Sequence, residues 1–298
     1  MNPVHYRTVR VDGVEIFYRE AGPAAAPTIL LLHGFPTSSH MFRDLIPLLA
    51  DRYHLIAPDY PGFGNSSAPG IREFEYTFDH LAQVIQDFTD ALGLQRYLLY
   101  VQDFGGPVGF RLASGRPSKI QAIIVQNANA YVEGMSAEVH DLLLRLATDH
   151  STEMKAKATA LFELPYTKRQ YLEGVEDPTL VSPDSWQHAQ AEMDRPGNKT
   201  IQYALHANYA SNFDKYEEWH VYFQHYQPPT LVIWGEGDFV FGVPGAIAFK
   251  KDLKRIEVHI LKGAGHFALE THSGRIAELI CRFQQSMATD PRKSGLGC

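Results

Sequence analysis

Cysteine is scarce in this sequence, and it has neither a long apolar run nor a cluster of basic residues. The 298 residues include two cysteines, Cys281 and Cys298, which form neither a disulfide framework nor a zinc-type spacing. No stretch approaches the roughly 20 apolar residues that span a bilayer, and residues 1–13 lack the continuous apolar core of a signal peptide. The net charge of −7 gives no attraction to nucleic acid. These absences predict a cytosolic protein that binds neither membranes nor nucleic acid.

Short apolar runs alternate with helical patterns along most of the chain. With 45% hydrophobic residues, a chain of this length can bury a substantial core without disulfides. The alternation predicts an α/β fold with a mainly parallel sheet covered on both faces. Asp12 and Gly13 lie between two such runs and predict a hairpin turn. The predicted strands are residues 6–11, 14–20, 28–33, 54–58, 97–101, 120–126, 230–235 and 257–261, and the predicted helices are residues 41–50, 78–92, 106–114 and 273–287.

The pattern changes between residues 132 and 226, where the sequence is helical, rich in tyrosine and without a strong strand. This change predicts a helical cap, residues 132–226, inserted into an α/β core of residues 1–131 and 227–288. Within the cap, Ser182-Pro183 has the composition of a helix start. The last ten residues, 289–298, are predicted to be a flexible tail.

Four short motifs follow predicted strands, where open α/β sheets place their ligands. Asp103 lies in VQDFGG, between a strand and a helix, as in a nucleophile elbow that projects one side chain above the sheet. Asp238 ends WGEGD, His266 lies in GAGHF, and HGFP at residues 33–36 forms a glycine turn. Taken singly, Asp103 could equally cap the helix and Asp238 could be a turn residue. Together they follow the order nucleophile, acid, histidine, which is typical of an α/β-hydrolase triad.

These motifs resemble the α/β-hydrolase superfamily, specifically its epoxide hydrolase and haloalkane dehalogenase branch with an aspartate nucleophile. The sequence DYPGFGNS at residues 59–66 resembles the family's D-x-x-G-x-G-x-S loop, and the inserted cap also matches. Val101 replaces the glycine of the generic elbow, which disfavours a serine esterase. The resemblance covers nearly the whole chain, least clearly in the cap. It implies the α/β-hydrolase fold, with a mostly parallel eight-stranded sheet flanked by helices.

An aspartate nucleophile changes the reaction. A carboxylate displaces a leaving group from a saturated carbon and becomes an ester, whose carbonyl carbon is then attacked by water. The resemblance implies that the backbone N–H groups of Phe35 and Phe104 bind the oxyanion. It also implies that His266 activates the water and that Asp238 orients the His266 ring. No metal and no cofactor are expected.

Some relatives carry the acid after the preceding strand. Here that stretch is QNAN at residues 126–129, which offers amides and no carboxylate. Asp238 is therefore the preferred acid.

The leaving group separates the two branches of the family. Haloalkane dehalogenases typically place a tryptophan after the nucleophile and a second N–H donor in the turn after the third strand, but Phe104 and Phe35 occupy these positions. Fluoroacetate dehalogenases use an arginine directly after the nucleophile, but in this sequence that position is Phe104. Arg111, further along the same predicted helix, is expected to face away. The sequence favours an epoxide, with haloalkane hydrolysis and a non-turnover ligand-binding protein as alternatives.

Epoxide opening needs acidic O–H donors, which epoxide hydrolases supply from lid tyrosines. Tyr209 lies in a segment that resembles the second such tyrosine. For the first donor we rank His150 and Tyr171 ahead of Tyr166, with a histidine–tyrosine pair as one option.

The expected partners are a small apolar organic substrate and water, and the sequence leaves homodimer formation open. The aromatic residues near the motifs favour an apolar substrate over a charged acid. The predicted pocket residues are His33, Pro36, Phe239, Phe267 and Tyr171, with Phe241 and the two oxyanion-hole phenylalanines nearby.

Overall fold

Eight strands form one sheet in the computed structural model, which describes residues 2–149 and 151–289. They are β1 (Val4–Val11), β2 (Val14–Ala21), β3 (Thr28–Leu32), β4 (His54–Pro58), β5 (Tyr97–Gln102), β6 (Ile120–Gln126), β7 (Thr230–Gly235) and β8 (Ile256–Leu261). Their order in the sheet is β1-β2-β4-β3-β5-β6-β7-β8. β2 pairs antiparallel with β1 and with β4, and every other pair is parallel. The predicted hairpin and the mostly parallel eight-stranded sheet are confirmed.

The central strands are buried on both faces, as their continuous apolar sequences predict. Every residue of β5 and of β7 is buried. Successive side chains of a strand point to opposite faces, and β3 shows the consequence. Leu30 and Leu32 belong to one apolar cluster, whereas Ile29 and Leu31 belong to a second cluster across the sheet. The sheet therefore separates two hydrophobic layers, each covered by helices.

The helices that flank the sheet lie close to their predicted positions. They are α1 (Leu45–Leu49), α2 (Phe78–Ala91), α3 (Gly105–Gly115), and, after the inserted region, α10 (Val243–Ala248) and α11 (Leu269–Thr289). The predicted helix 41–50 is instead a 3-10 turn, Ser39–Phe42, followed by α1. This division places Pro47 in the first turn of α1, where its missing N–H costs least, rather than inside a longer helix. α11 begins four residues before the predicted start and is kinked at His272.

Six α-helices of the described residues lie between β6 and β7 and form an inserted helical region. They are α4 (Ala137–Thr148), α5 (Thr152–Ala160), α6 (Leu164–Leu172), α7 (Pro183–Met193), α8 (Asn198–Asn208) and α9 (Tyr216–Tyr226). The predicted start at Ser182-Pro183 is confirmed, because the Ser182 side chain accepts a hydrogen bond from the Asp184 N–H at the first turn of α7. The limits of the cap at residues 132 and 226 stay a prediction. In the described residues, no helix has the length and apolar character needed to cross a bilayer.

The C-terminal end is described as far as Thr289, the last residue of α11. Nearly all of the predicted tail, residues 290–298, lies outside the described residues.

Candidate active site

Asp103 occupies a tight turn between β5 and α3. Its φ is +47°, a left-handed conformation that is unfavourable for a residue with a side chain. The glycines that follow make the turn possible. A Cβ on Gly105 would lie 2.3 Å from the Leu32 carbonyl oxygen, and one on Gly109 would lie 2.4 Å from Cγ1 of Val101. α3 can therefore pack directly against the sheet, and the turn projects Asp103 beyond the end of β5.

The parallel strands bring the other motif residues to the same edge. In register, Val101 lies beside Val125 in β6, Gln126 lies beside Ile233 in β7, and Gly235 lies beside Leu261 in β8. The loops after β5, β6, β7 and β8 consequently leave the sheet side by side. This topology gathers residues that are more than 160 positions apart, such as Gln102 and His266.

Asp103, His266 and Asp238 form one connected group. The His266 Nδ1 lies 2.9 Å from Oδ2 of Asp238, and the His266 Nε2 lies 3.8 Å from Oδ2 of Asp103. All three side chains are buried. Burial acts to lower the pKa of His266, but the charge of Asp238, the hydrogen bond to it and the charge of Asp103 outweigh burial and raise that pKa. With Nδ1–H donating to Asp238, the neutral imidazole has its free electron pair on Nε2, on the side of Asp103.

Besides His266, three donors contact the Asp238 carboxylate. The backbone N–H groups of Val240 and Phe241 donate to Oδ1 over 2.8 and 3.1 Å. The side-chain amide of Asn127 donates to Oδ2 over 2.8 Å. Such donors restrict the orientation of a buried carboxylate. The loop after β6 offers no carboxylate. Its Asn127 amide instead supports Asp238, the acid after β7.

Two backbone N–H groups hold the Asp103 carboxylate. Phe35 donates to Oδ1 over 2.7 Å, and the Phe104 N–H also bonds this carboxylate. Burial raises the pKa of Asp103, while the charge of His266 and these N–H bonds act against that rise. Gly34 allows the close approach, because a Cβ there would lie 2.3 Å from Cβ of Asp103. The two N–H groups expected from the sequence are therefore both in contact with Asp103.

Gln102 is an additional neighbour of the histidine. Its Nε2 lies 3.2 Å from Nε2 of His266, and its Oε1 is buried without a hydrogen-bond partner in the described part of the chain. When the imidazole is neutral with its proton on Nδ1, this amide can donate to the electron pair on Nε2. Gln102 thus lies between His266 and the turn that carries Asp103.

A cavity of about 80 Å³ lies against Asp103, between the sheet edge and the inserted helices. Its wall is mainly apolar, with Phe35, Phe104, Phe239 and Phe241 from the α/β core and leucines from α4 and the segment before α6. The polar side chains in its wall are Asp103, Tyr166, Gln170, His206 and Tyr209. A mainly apolar cavity with a few polar groups is typical of a small-molecule site.

Two tyrosines of the inserted region face this cavity with their rings. Tyr209 packs against Phe104, with ring centroids 5.8 Å apart, and Tyr166 packs against Phe239 at 6.3 Å. Burial raises the pKa of Tyr209 well above its usual value and that of Tyr166 to about 12, and the charge of Asp103 adds to both shifts. Both hydroxyls are therefore protonated at neutral pH and can donate.

The α/β-hydrolase fold family matches residues 27–273 of this sequence. The chain belongs to this family. An uncharacterized hydrolase of Saccharomyces cerevisiae is 41% identical over 272 residues, which cover 90% of this chain and 93% of the yeast protein. The α/β-hydrolase fold is thus confirmed by sequence similarity as well as by topology.

Relatives of this hydrolase include both enzyme classes that the motifs resemble. Mouse epoxide hydrolase 3 is 25% identical over 295 residues, which cover 94% of this chain and 76% of the mouse protein. Haloalkane dehalogenase 2 of Mycobacterium tuberculosis is 44% identical over 112 residues, which cover 38% of each chain. The protein is therefore a hydrolase of the α/β fold related to dehalogenases and epoxide hydrolases.

Four of the five predicted pocket residues lie outside the cavity wall of the hydrolase, and Phe239 lies in it. Tyr171 and Phe267 stack on each other at 4.3 Å and belong to the apolar cluster on the opposite face of the sheet. His33 is fully buried against Tyr60, and Pro36 is buried after a cis peptide bond. These residues pack the loops that hold Asp103 and His266 instead of facing the ligand space.

The ranking of the candidates for the first lid donor also changes, because the structure shows which of them lies in the cavity wall. Tyr171 faces the core, whereas Tyr166, ranked below it, lines the cavity. His150 lies outside the described residues. Arg111 does not line the cavity and bonds Asn212 and Asp79 instead, as expected for a residue that faces away.

Two polar residues of the cavity wall were missed from the sequence, Gln170 and His206. They lie four residues after Tyr166 and three before Tyr209, so helical periodicity could have grouped each with its tyrosine. Burial lowers the pKa of His206 to about 4, and its Nδ1–H donates to the Gln202 carbonyl over 2.8 Å. His206 is thus a neutral imidazole whose Nε2 can accept a hydrogen bond.

Proposed function

We propose that this hydrolase opens epoxides to vicinal diols through an ester between the substrate and Asp103. The observation that carries the proposal is that Tyr166 and Tyr209 line the same small cavity as Asp103. An epoxide oxygen develops alkoxide charge as its ring opens, and a positioned O–H donor stabilises that charge and supplies a proton. A buried, protonated tyrosine is suited to this role.

In the first step, Asp103 attacks one ring carbon of the epoxide. Oδ1 already accepts from Phe35, so we assign the attack to Oδ2. A bond forms between Oδ2 and carbon, and the bond between that carbon and the epoxide oxygen breaks. The oxygen takes the proton of a tyrosine hydroxyl. The products of this step are a hydroxyalkyl ester of Asp103 and a tyrosinate.

In the second step, His266 takes a proton from water as the water oxygen attacks the carbonyl carbon of the ester. Oδ1 carries the negative charge of the tetrahedral intermediate, and the N–H groups of Phe35 and Phe104 stabilise it. The intermediate then breaks its bond to the Oδ2 that was joined to the substrate. The diol leaves with that oxygen and one proton, and the proton on His266 returns to the tyrosinate. The sum is one epoxide and one water converted to one diol.

Trapping the ester tests the proposal. Replacing His266 with glutamine removes the base of the second step and leaves the Asp103 turn intact, so the ester should accumulate. Intact-mass spectrometry of His266→Gln after exposure to short epoxides should show an added mass equal to that of the epoxide, located on Asp103 by peptide mapping. The double variant with Asp103→Asn is the control and should gain no mass. Hydrolysis of epoxides that proceeds with no such ester, and with Asp103→Asn still active, would exclude the proposal.

Hydrolysis of a carbon–halogen bond is the second candidate, favoured by the identity to the mycobacterial dehalogenase over part of the chain. The same Asp103 ester would form, with a halide as the leaving group. Halide binding relies on N–H donors, and the rings of Phe35 and Phe104 offer none at the positions where dehalogenases place them. Adding chloro- and bromoalkanes to the trapping experiment separates the candidates, because the mass of the adduct identifies which substrate reacted.

A further inference from the structure

Gln170 lies in the wall of the cavity, one helical turn after Tyr166 in α6. Residues four apart on a helix share a face, so the packing that brings Tyr166 to the cavity wall brings Gln170 there as well. The Gln170 side chain is 3% exposed. The proposed reaction assigns it no role, since neither ring opening nor water activation needs an amide at this position.

The side-chain amide of Gln170 differs in its hydrogen bonding from that of a neighbouring buried glutamine. Its Nε2 is shielded from solvent and has no hydrogen-bond partner among the described residues. Gln190, a buried glutamine in the neighbouring helix α7, has its amide fully engaged. Its Oε1 accepts from Thr167, and its Nε2 donates to the Phe162 carbonyl. Buried polar groups are normally paired, so an unpaired amide on a side chain of the cavity wall indicates a group that can turn to pair with a ligand.

The volume of the cavity favours a small ligand. Its volume of about 80 Å³ is well below the about 150 Å³ of an engineered cavity that accommodates benzene. A short aliphatic epoxide fits this space better than an aryl epoxide. Apart from Asp103 and the tyrosines, the polar groups of the wall are Gln170 and His206, an amide and a neutral imidazole that bear no charge. They suit an uncharged polar group such as a hydroxyl.

We propose that Gln170 is a specificity residue that hydrogen-bonds a hydroxyl group next to the reacting ring, so that the preferred substrates are short epoxy alcohols rather than apolar epoxides. This inference rests on the proposed function and names its substrate class. The hydrogen bond is made away from the bonds that break, so it contributes equally to substrate and transition state. Its loss should raise KM and leave kcat nearly unchanged.

The test compares glycidol with 1,2-epoxybutane, which have the same number of non-hydrogen atoms and differ by a hydroxyl in place of a methyl group. We expect the wild-type hydrolase to prefer glycidol in kcat/KM. In Gln170→Met, which keeps the length of the side chain and removes the amide, this preference should fall about tenfold, mainly through KM. The melting temperature of Gln170→Met should equal or exceed that of the wild type, because an unpaired buried amide has been removed. Gln187→Leu, which replaces an exposed glutamine of α7, is the matched control and should keep the wild-type preference.

An unchanged preference in Gln170→Met would overturn the inference, and so would a lower melting temperature with both substrates affected alike. If neither epoxide is hydrolysed, or only haloalkanes are, the proposed function fails and the binding of products still tests Gln170. Ligand-observed NMR would then compare glycerol with 1,2-butanediol. A wild-type preference for glycerol that is lost in Gln170→Met supports the inference, and equal binding of both diols overturns it.

Discussion

Asn127 donates a hydrogen bond from Nδ2 to Oδ2 of Asp238, and the same oxygen lies 2.9 Å from Nδ1 of His266. Asn127 is also joined to two neighbouring elements. Its Oδ1 accepts the Gly235 N–H over 3.1 Å, and its carbonyl accepts the Asp103 N–H over 3.1 Å. One residue after β6 thus connects the turn of the nucleophile with the turn of the acid. Its backbone adopts the left-handed conformation, with φ of +45°.

Asn127→Gly should lower turnover about tenfold and the free energy of unfolding by about 1–3 kcal/mol, because the buried Oδ2 of Asp238 and the Gly235 N–H each lose a partner. Glycine accepts the left-handed backbone, so the turn itself is preserved. Steady-state kinetics and urea unfolding measure the two effects. Asp12→Gly, at an exposed turn residue with φ of +47°, is the backbone-matched control and should leave turnover unchanged. Full activity of Asn127→Gly would show that Asp238 needs no support from this amide.

Tyr166→Phe and Tyr209→Phe should each slow formation of the Asp103 ester about 100-fold, because a proton donor for the epoxide oxygen is lost while the ring packing is kept. Rapid-quench measurement of the ester in the His266→Gln background isolates this step. Tyr171→Phe is the matched control, since Tyr171 belongs to the same inserted region but stacks on Phe267 outside the cavity. Equal loss in Tyr171→Phe, or no loss in either of the other two variants, would contradict the assignment of the donors.

Gly34→Ala should lower turnover at least about 100-fold while the protein stays folded. The added methyl would lie 2.3 Å from Cβ and 2.5 Å from Oδ1 of Asp103, so the carboxylate must leave its N–H donors. Kinetics together with the circular dichroism spectrum separate loss of the site from loss of the fold. The comparison variant is Gly274→Ala, on an exposed helical position where a Cβ meets nothing within 4 Å. It should retain activity and gain roughly 1 kcal/mol of stability. Wild-type turnover in Gly34→Ala would mean that Asp103 does not react from its observed position.

Hydrolysis of the ester should become faster as pH rises through the pKa of His266, because only the neutral imidazole accepts a proton from water. In the free enzyme the charge of Asp103 is one of the causes that raise this pKa. Esterification removes that charge, so the ester should hydrolyse with a midpoint at lower pH than the pKa of His266 in the free enzyme. Single-turnover decay of the ester at a series of pH values, beside an NMR titration of His266, measures both quantities. A midpoint equal to or higher than the NMR value would contradict the direct role of the Asp103 charge.

The strands themselves follow from local sequence because continuous apolar runs have few other places to be buried. The short motifs after β5, β7 and β8 were informative since parallel strands deliver their C-terminal loops to one edge, whatever the rest of the chain does. Asp103, Asp238 and His266 could therefore be grouped before any contact was known. The support from Asn127 could not, because an amide in a loop shows no pattern that identifies its partner.

The inserted region shows what the sequence by itself left undecided. Sequence determined that helices lie there and that they carry tyrosines, yet the choice between Tyr166 and Tyr171 depended on which face of α6 turns toward Asp103. Positions five apart on a helix differ by about 140°, whereas positions 166 and 170 differ by about 40°. α6 carries polar and aromatic residues on more than one side, so its periodicity does not select a face. Packing against the core made that selection, burying Tyr171 against Phe267 and leaving Tyr166 and Gln170 at the cavity.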